Sequence, residues 1–377
     1  MADRSARLIR MKGPEDKDSI LKAVQDVFDK DTWWRYTAES VRDFEKRFAR
    51  AHDCEHGVSI CNGTVAVDVA LRGLGIGPGD KVVLPAYNFY SLPKSVANVG
   101  ATPVFVDVCR DNPTISAEET RKVLDSGVKA VIAVHIAGAV AELDKLGEIC
   151  RDAKVALIED CAQAAGAVYG DKHVGSWGSV GIFSFGGVKL MTSGQGGMVT
   201  TSDPDLYERC YAIVNRGSDP RGGVNRLGIV GDNYQMSVLA AAVLEPQLNL
   251  LRENGEKREQ MMRFLDREIV KLDGLFPLQQ FAPVRSRAQM RYAFLCRRGG
   301  SDAKHTEAFV RMAKEKGVPF DTRFYTTIAN DERLFRRYAA ETMFPMAKRA
   351  EDEIVAVWHW DVMRGIDYWG KALESLR

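Results

Sequence analysis

Three short stretches of the chain combine residue types and spacings that could do chemistry. Asn62-Gly63-Thr64 follows an apolar run and precedes a helical pattern. A helix start offers unpaired amides and a positive dipole end, which suit a phosphate. Gly63 allows close backbone approach and Thr64 adds a hydroxyl, although the same residues also suit plain helix capping. In Val155–Gly166 (VALIEDCAQAAG) apolar residues run straight into Glu159-Asp160. A carboxylate at the end of a buried strand is costly without a partner. A protonated ring nitrogen would serve, each charge favouring the other; a helix N-cap aspartate is the alternative. The third stretch, Ser184-Phe185-Gly186-Gly187-Val188-Lys189, is followed by Ser193-Gly194-Gln195-Gly196-Gly197. Its glycines leave room for a flat ligand, and Ser184 is placed to meet a phosphate. Lys189 is a candidate nucleophile and acid/base. A free lysine titrates at ~10.4 and is a poor nucleophile at neutral pH, so burial or Schiff-base formation must supply the neutral amine.

The elements that must position these residues follow from periodicity. Apolar runs at Val58–Cys61, Lys81–Leu84, Pro103–Val108, Val131–His135, Val155–Glu159 and Gly181–Phe185 predict strands. Helical patterns lie between several of them, at Val65–Leu74, Ala117–Leu124 and Ala141–Arg151. Alternation of this kind predicts an α/β fold whose mostly parallel sheet is covered on both faces and binds ligands beyond its carboxyl strand ends. Upstream, Ser19 to Phe28 and Ser40 to Arg50 read as amphipathic helices. From Leu248 to Leu272 the chain becomes a long charged helical region, followed by mixed elements such as Arg291–Arg297 and Lys304–Gly317. The expected division is a large α/β domain over residues 1–250 and a smaller α+β domain over residues 251–377. A chain of 377 residues fits two domains at roughly 150 residues each.

Bulk properties narrow the function classes. The net charge of +1 argues against a general nucleic-acid or anionic-membrane binder, and 27% charged residues is ordinary for a globular protein. No apolar run reaches the ~18 residues of a membrane span, and the charged N-terminus lacks a signal-peptide core. Seven scattered cysteines without a CxxC pair fit reduced thiols, so the expected location is the cytoplasm. His52-Asp53-Cys54-Glu55-His56 spells HxxEH, but Gly57 and a strand follow at once, so no zinc site is expected there. Gly73, Gly75 and Gly77 precede a strand and read as a turn. His135 is read as a satisfied strand-end histidine or a substrate contact.

Taken in order, these stretches resemble the DegT–DnrJ sugar aminotransferases, whose fold is that of aspartate aminotransferase (fold type I of the pyridoxal-phosphate enzymes). The resemblance runs from about Trp33 to the C-terminus. It is carried by Asn62–Thr64, Gly75 to Phe89, Pro103–Val108, Glu159–Ala167, Phe183–Lys189, Gly194–Thr201 and Asn233–Ser237. It implies pyridoxal 5'-phosphate as cofactor, held as an internal aldimine on Lys189. It further implies that Asp160 pairs the pyridine nitrogen, Gln163 touches the ring side and Phe89 stacks on the ring. Gly63, Thr64 and Ser184 would hold the phosphate. Asn233 would reach the phosphate of a neighbouring subunit, which implies a homodimer with shared active sites. The implied activity is ping-pong transfer of an amino group from glutamate or glutamine to a keto-sugar or keto-cyclitol, as in sugar or secondary-metabolite biosynthesis. Trp33-Trp34-Arg35 and His135-Ile136-Ala137-Gly138 resemble the branch of inosose aminotransferases and aminohydroxybenzoate synthases. The alternatives are therefore a dehydratase or aromatase of that kind, and a cofactor-bound regulator. The family usually carries Glu where Gln195 stands and Arg where Gln235 stands. This joint departure predicts that the two glutamines lie within hydrogen-bonding distance, inside one subunit or across the dimer interface.

Overall fold

The computed structural model describes residues 16–35, 38–222, 227–323, 325, 338 and 344–377. The N-terminal charged segment considered above thus lies, through residue 15, outside the described residues. A seven-stranded sheet forms the centre, in the spatial order His56–Ile60, Gly197–Thr201, Val180–Ser184, Ala156–Asp160, Val128–Val134, Lys81–Pro85, Thr102–Val106. The last five of these run parallel. Gly197–Thr201 is antiparallel to both its neighbours. The six expected strands are present within a few residues of their bounds. The expected run Pro103–Val108 ends at Val106, and Val108–Cys109 turns into a separate two-stranded ribbon with Asn112–Ile115.

The burial pattern explains the sheet. Val180–Phe183 and Gly197–Thr201 are wholly buried, as expected of strands covered on both faces. Apolar residues on one face pack with the helix Gly63–Gly73, through Ala66, Val67, Val69, Ala70 and Leu71. On the other face Val41, Phe44 and Phe48 of the helix Glu39–Ala51 pack with Phe183 and Phe185. Deletion of one such aromatic would cost about 3–5 kcal/mol.

The charged helix is longer than its expected span. It runs Val238–Ile269, capped at its start by Ser237 and carrying Pro246 inside, so position 250 falls within it. Beyond it lies a four-stranded sheet in the order Leu275–Pro277, Arg291–Cys296, Ile354–Trp358, Asp321–Thr322, all antiparallel. It is covered by a third core containing Phe294, Phe309, Phe320 and Trp369. The turn at Ile136–Ala139 docks against this second sheet. A Cβ on Gly138, where φ is +87°, would come within 3.1 Å of the Arg291 carbonyl and the Ala293 amide. Only glycine allows that approach. No helix among the described residues is long and apolar enough to cross a membrane.

Candidate active site

Parallel strands end together, so the loops beyond Ile60, Pro85, Asp160 and Ser184 converge on one rim. There the helix Gly63–Gly73 begins, with the Asn62 side chain accepting the Val65 amide at 2.9 Å. The capping alternative is thus realised by Asn62, two residues earlier than Thr64. That cap leaves the amides of Gly63 and Thr64 at the mouth of the helix dipole. Ser184 stands directly opposite: a Cβ on Gly63 would lie 2.7 Å from its Cβ and 3.0 Å from its hydroxyl. The Gly186 amide donates to the Ser184 hydroxyl at 3.4 Å. Backbone amides, a helix start and two hydroxyls make a cup for a phosphate, and its closeness depends on Gly63 having no side chain.

Asp160 and Lys189 face each other beside this cup. The Ala162 amide donates to Asp160 Oδ1 at 3.0 Å. Burial raises the Asp160 carboxyl above the usual carboxylate range, and the Ala162 amide, Lys189 and His135 act against that rise. Burial also lowers Lys189, from 10.5 to about 8, with Asp160 opposing and Arg291 adding to the fall. Both charges are thus disfavoured by the same dry environment. A protonated pyridine ring against Asp160, with its aldehyde at Lys189 and its phosphate in the cup, would satisfy all three stations. The residues present therefore fit pyridoxal phosphate.

Gln163 is buried beside them; its carbonyl accepts the Met290 amide at 2.8 Å and its side chain shares a hydrogen bond with Tyr325. Phe89, on the loop after Lys81–Pro85, is 47% exposed with its ring 4.5 Å from Tyr90, so a ring face is open for stacking. Asn233 is exposed and bridged to Asn215 in a short backbone pairing, on a segment whose next residue, Tyr234, accepts the Cys61 amide through its carbonyl at 2.8 Å. Seven of the eight expected site residues therefore lie at or just beyond the carboxyl strand ends, and Asn233 lies exposed on a separate segment paired beside Ile60–Cys61. Gln235 hydrogen-bonds Asn215 at 2.8 Å, while Gln195 is exposed and its backbone carbonyl accepts the Ser193 hydroxyl. The two glutamines are not partners within one chain, which removes the intrasubunit form of that expectation.

Glu159 belongs to different chemistry from Asp160. Its carboxylate accepts amides from Gly175, Trp177 and Gly178 at 2.7–2.8 Å, with His135 Nε2 at 3.4 Å. His135 is fully buried and its Nδ1 accepts the Ala141 amide at 3.2 Å, so it is the satisfied strand-end histidine of the two readings. In the HxxEH stretch, buried His52 bonds Phe48 and Gly166 and is lowered to about 4 by burial, whereas His56 stacks on Tyr207.

Sequence reasoning missed three buried neighbours of these residues: Arg291 on the second sheet, Tyr325 shortly after its Asp321–Thr322 strand, and Tyr87 after the first sheet's Lys81–Pro85. Tyr87 and Tyr325 meet edge to face at 6.0 Å. A signal for Arg291 was present, since it opens an otherwise apolar strand. Periodicity shows only the strand and not what the arginine meets.

Comparison with known proteins agrees with this arrangement. The model of the DegT/DnrJ/EryC1/StrS aminotransferase family matches residues 14–368. The chain is 32% identical over 310 residues to the 3-amino-5-hydroxybenzoate synthase of Amycolatopsis mediterranei (strain S699), covering 81% of this chain and 79% of that one. It is 34% identical over 312 residues to the L-glutamine:2-deoxy-scyllo-inosose aminotransferase of Streptomyces fradiae, covering 79% and 72%. Among solved structures, 3-amino-5-hydroxybenzoic acid synthase aligns over 97% of both chains with a TM-score of 0.89 at 27% identity.

Proposed function

This chain belongs to the DegT/DnrJ/EryC1/StrS aminotransferase family, as a pyridoxal-phosphate enzyme of fold type I, and on that premise we propose that it moves an amino group from glutamate or glutamine to a keto-cyclitol or keto-sugar. The observation that carries the reading is the gathering of Lys189, Asp160 and the Gly63–Ser184 cup at the carboxyl strand ends, where burial also lowers Lys189 to about 8. In this reading Lys189 holds the cofactor covalently between turnovers. Its freed Nζ takes a proton from the amine-bearing carbon of the donor and later returns one to the carbon of the acceptor ketone. Bound pyridoxal phosphate supplies the electron sink that stabilises charge at those carbons. Asp160 would keep a positive charge on the ring nitrogen, and Gln163 would fix the ring side. The Gly63 and Thr64 amides with Ser184 would anchor the phosphate, and Phe89 would cover the ring face. Donor and acceptor use the same cleft in turn.

The reading includes a homodimer in which Asn233 completes the partner's phosphate cup. It is supported by the exposure of Asn233 and by the Arg72 guanidinium, which holds its segment through Asp232 and the Val230 carbonyl at 2.7 Å each. A monomer with full activity at low concentration would contradict it. We also place the division between the two domains inside the helix Val238–Ile269. A second reading, an aromatase on the same scaffold, is favoured by the similarity to 3-amino-5-hydroxybenzoate synthase. The test is a donor screen followed by absorbance. Bleaching of the cofactor's visible band by glutamate or glutamine alone supports amino transfer, and its absence with every amino donor overturns it.

A further inference from the structure

Lys189 rides on a short loop whose neck is tied by its own backbone. The Phe185 carbonyl accepts the Ser193 amide at 3.1 Å and the Thr192 hydroxyl at 3.3 Å, and that hydroxyl accepts the Gly194 amide at 3.0 Å. Within the loop the Lys189 amide donates to the Gly186 carbonyl at 3.0 Å. The remaining polar groups of Thr192, its backbone N–H and C=O, turn to a side chain from far along the sequence. Gln247 Oε1 accepts the Thr192 amide at 2.9 Å, and Gln247 Nε2 donates to the Thr192 carbonyl at 2.9 Å. The same Nε2 donates to the Val243 carbonyl at 2.7 Å. The oxygen and both N–H groups of the amide are thus engaged, on a side chain that is buried. The reverse orientation fails, because it would set the amide nitrogen against an N–H and the oxygen against two carbonyls.

Gln247 sits where this grip can be transmitted. It follows Pro246, which has no N–H to give the preceding turn, so the bond to Val243 braces the helix where the proline weakens it. Before Gln247, residues Val238, Ala241 and Leu244 of the helix pack in the core that holds Phe183 and Phe185. Beyond it, Met262, Leu265 and Ile269 of the same helix pack in the second sheet's core. Gln247 and Lys189 also line one cavity of about 410 Å³, together with Leu190 and Thr192. A shift of Thr192 is passed along the chain to Lys189, and misplacing a reacting group by about 1 Å costs on the order of 10²-fold in rate.

We propose that Gln247 is a positioning residue for Lys189: by gripping both polar groups of the Thr192 backbone it fixes the loop that presents the amine, and it ties that loop to the helix entering the second sheet's core. This rests on the reading of Lys189 as the reactive amine. The test compares Gln247→Met, which keeps the length and loses the hydrogen bonds, with Leu244→Ala, which loosens the same helix without touching the loop. In the holoenzyme, bleaching of the visible band is timed at saturating glutamate or glutamine. The pH midpoint of that band reads the nitrogen of Lys189, and hydrogen exchange of Gly186–Ser193 is followed by mass spectrometry. Gln247→Met should slow bleaching about 10- to 100-fold, with the half-saturating donor concentration held within about twofold. It should also move the band's pH midpoint and speed exchange of the loop about tenfold. Leu244→Ala should change none of these by more than about twofold. Gln247→Glu keeps the acceptor and regains an O–H donor only when protonated, so its deficit should shrink as pH falls. An unchanged rate and exchange in Gln247→Met, equal effects in Leu244→Ala, or a pH-independent deficit in Gln247→Glu overturns the proposal. Should Gln247→Met not fold, Gln247→Glu decides alone. Failure of the amino-transfer reading would show separately, as no bleaching of the unmodified holoenzyme, and the band midpoint and loop exchange would still judge Gln247.

Discussion

Glu159 and Asp160 are consecutive carboxylic acids on one strand, and they end in opposite situations. Successive strand residues face opposite sides of a sheet. Glu159 enters a closed pocket where three amides and His135 meet its two oxygens. Asp160 faces the strand-end cleft with one amide and the charge of Lys189. A satisfied anion builds structure, because its removal strands several buried donors. An anion in a dry cleft is poised for a ligand, because burial leaves it short of stabilisation that a cation can supply. The Glu159 side is scaffold, and the Asp160 side is where we propose the chemistry to lie.

The strongest way to break this contrast is Lys189→Ala. It should abolish covalent cofactor attachment, seen as loss of the visible band, and lower turnover by at least roughly 10²–10⁴-fold. Near-normal turnover would remove the reactive role from that side. Exchange of the two acids comes next. Asp160→Asn should retain fold but weaken cofactor retention and slow turnover on the order of 10²-fold, by loss of the charge opposite the ring. Glu159→Gln should do the reverse, costing about 3 kcal/mol in urea unfolding while the surviving folded protein stays active. Equal behaviour of the two variants would erase the distinction.

A third test uses pH on the cofactor-free protein. Lys189 falls from 10.5 to about 8 on folding, so between those values the unfolded chain binds more protons and stability rises with pH. Protonated Lys189 therefore costs stability below pH 8. Lys189→Met should gain about 2 kcal/mol at pH 7, the gain vanishing towards pH 10.5. A pH-independent difference would show that burial does not disfavour the charge. The smallest effect is expected from Gly63→Ala, whose methyl would crowd Ser184 and weaken phosphate retention about tenfold, measured by cofactor dialysis.

The two halves of the cleft were not equally legible. Gly63, Asp160, Ser184 and Lys189 announce themselves because each sits at a switch from apolar run to glycine or polar residue, which is where a parallel strand ends. The strand Gly197–Thr201 was read only as a glycine-rich motif, since its place between two strands depends on antiparallel pairing that no local pattern encodes. Arg291 and Tyr325 escaped for a related reason. Arg291 acts on Lys189, and Tyr325 on Asp160 and Gln163, from more than a hundred residues along the chain, Arg291 through a second sheet docked on the Ile136–Ala139 turn.

Strand ends, and the positions of Lys189 and Asp160 relative to them, were legible in local sequence, because periodicity and glycine placement are enforced within a few residues by backbone sterics and burial. Which of two adjacent acids is buried in amides and which meets the cleft was decided by tertiary structure alone. So was the exposure of Asn233. Facing, docking and electrostatic environment arise only when distant segments share one volume, and there a neighbour's charge or amide, rather than a residue's own type, sets what it can do.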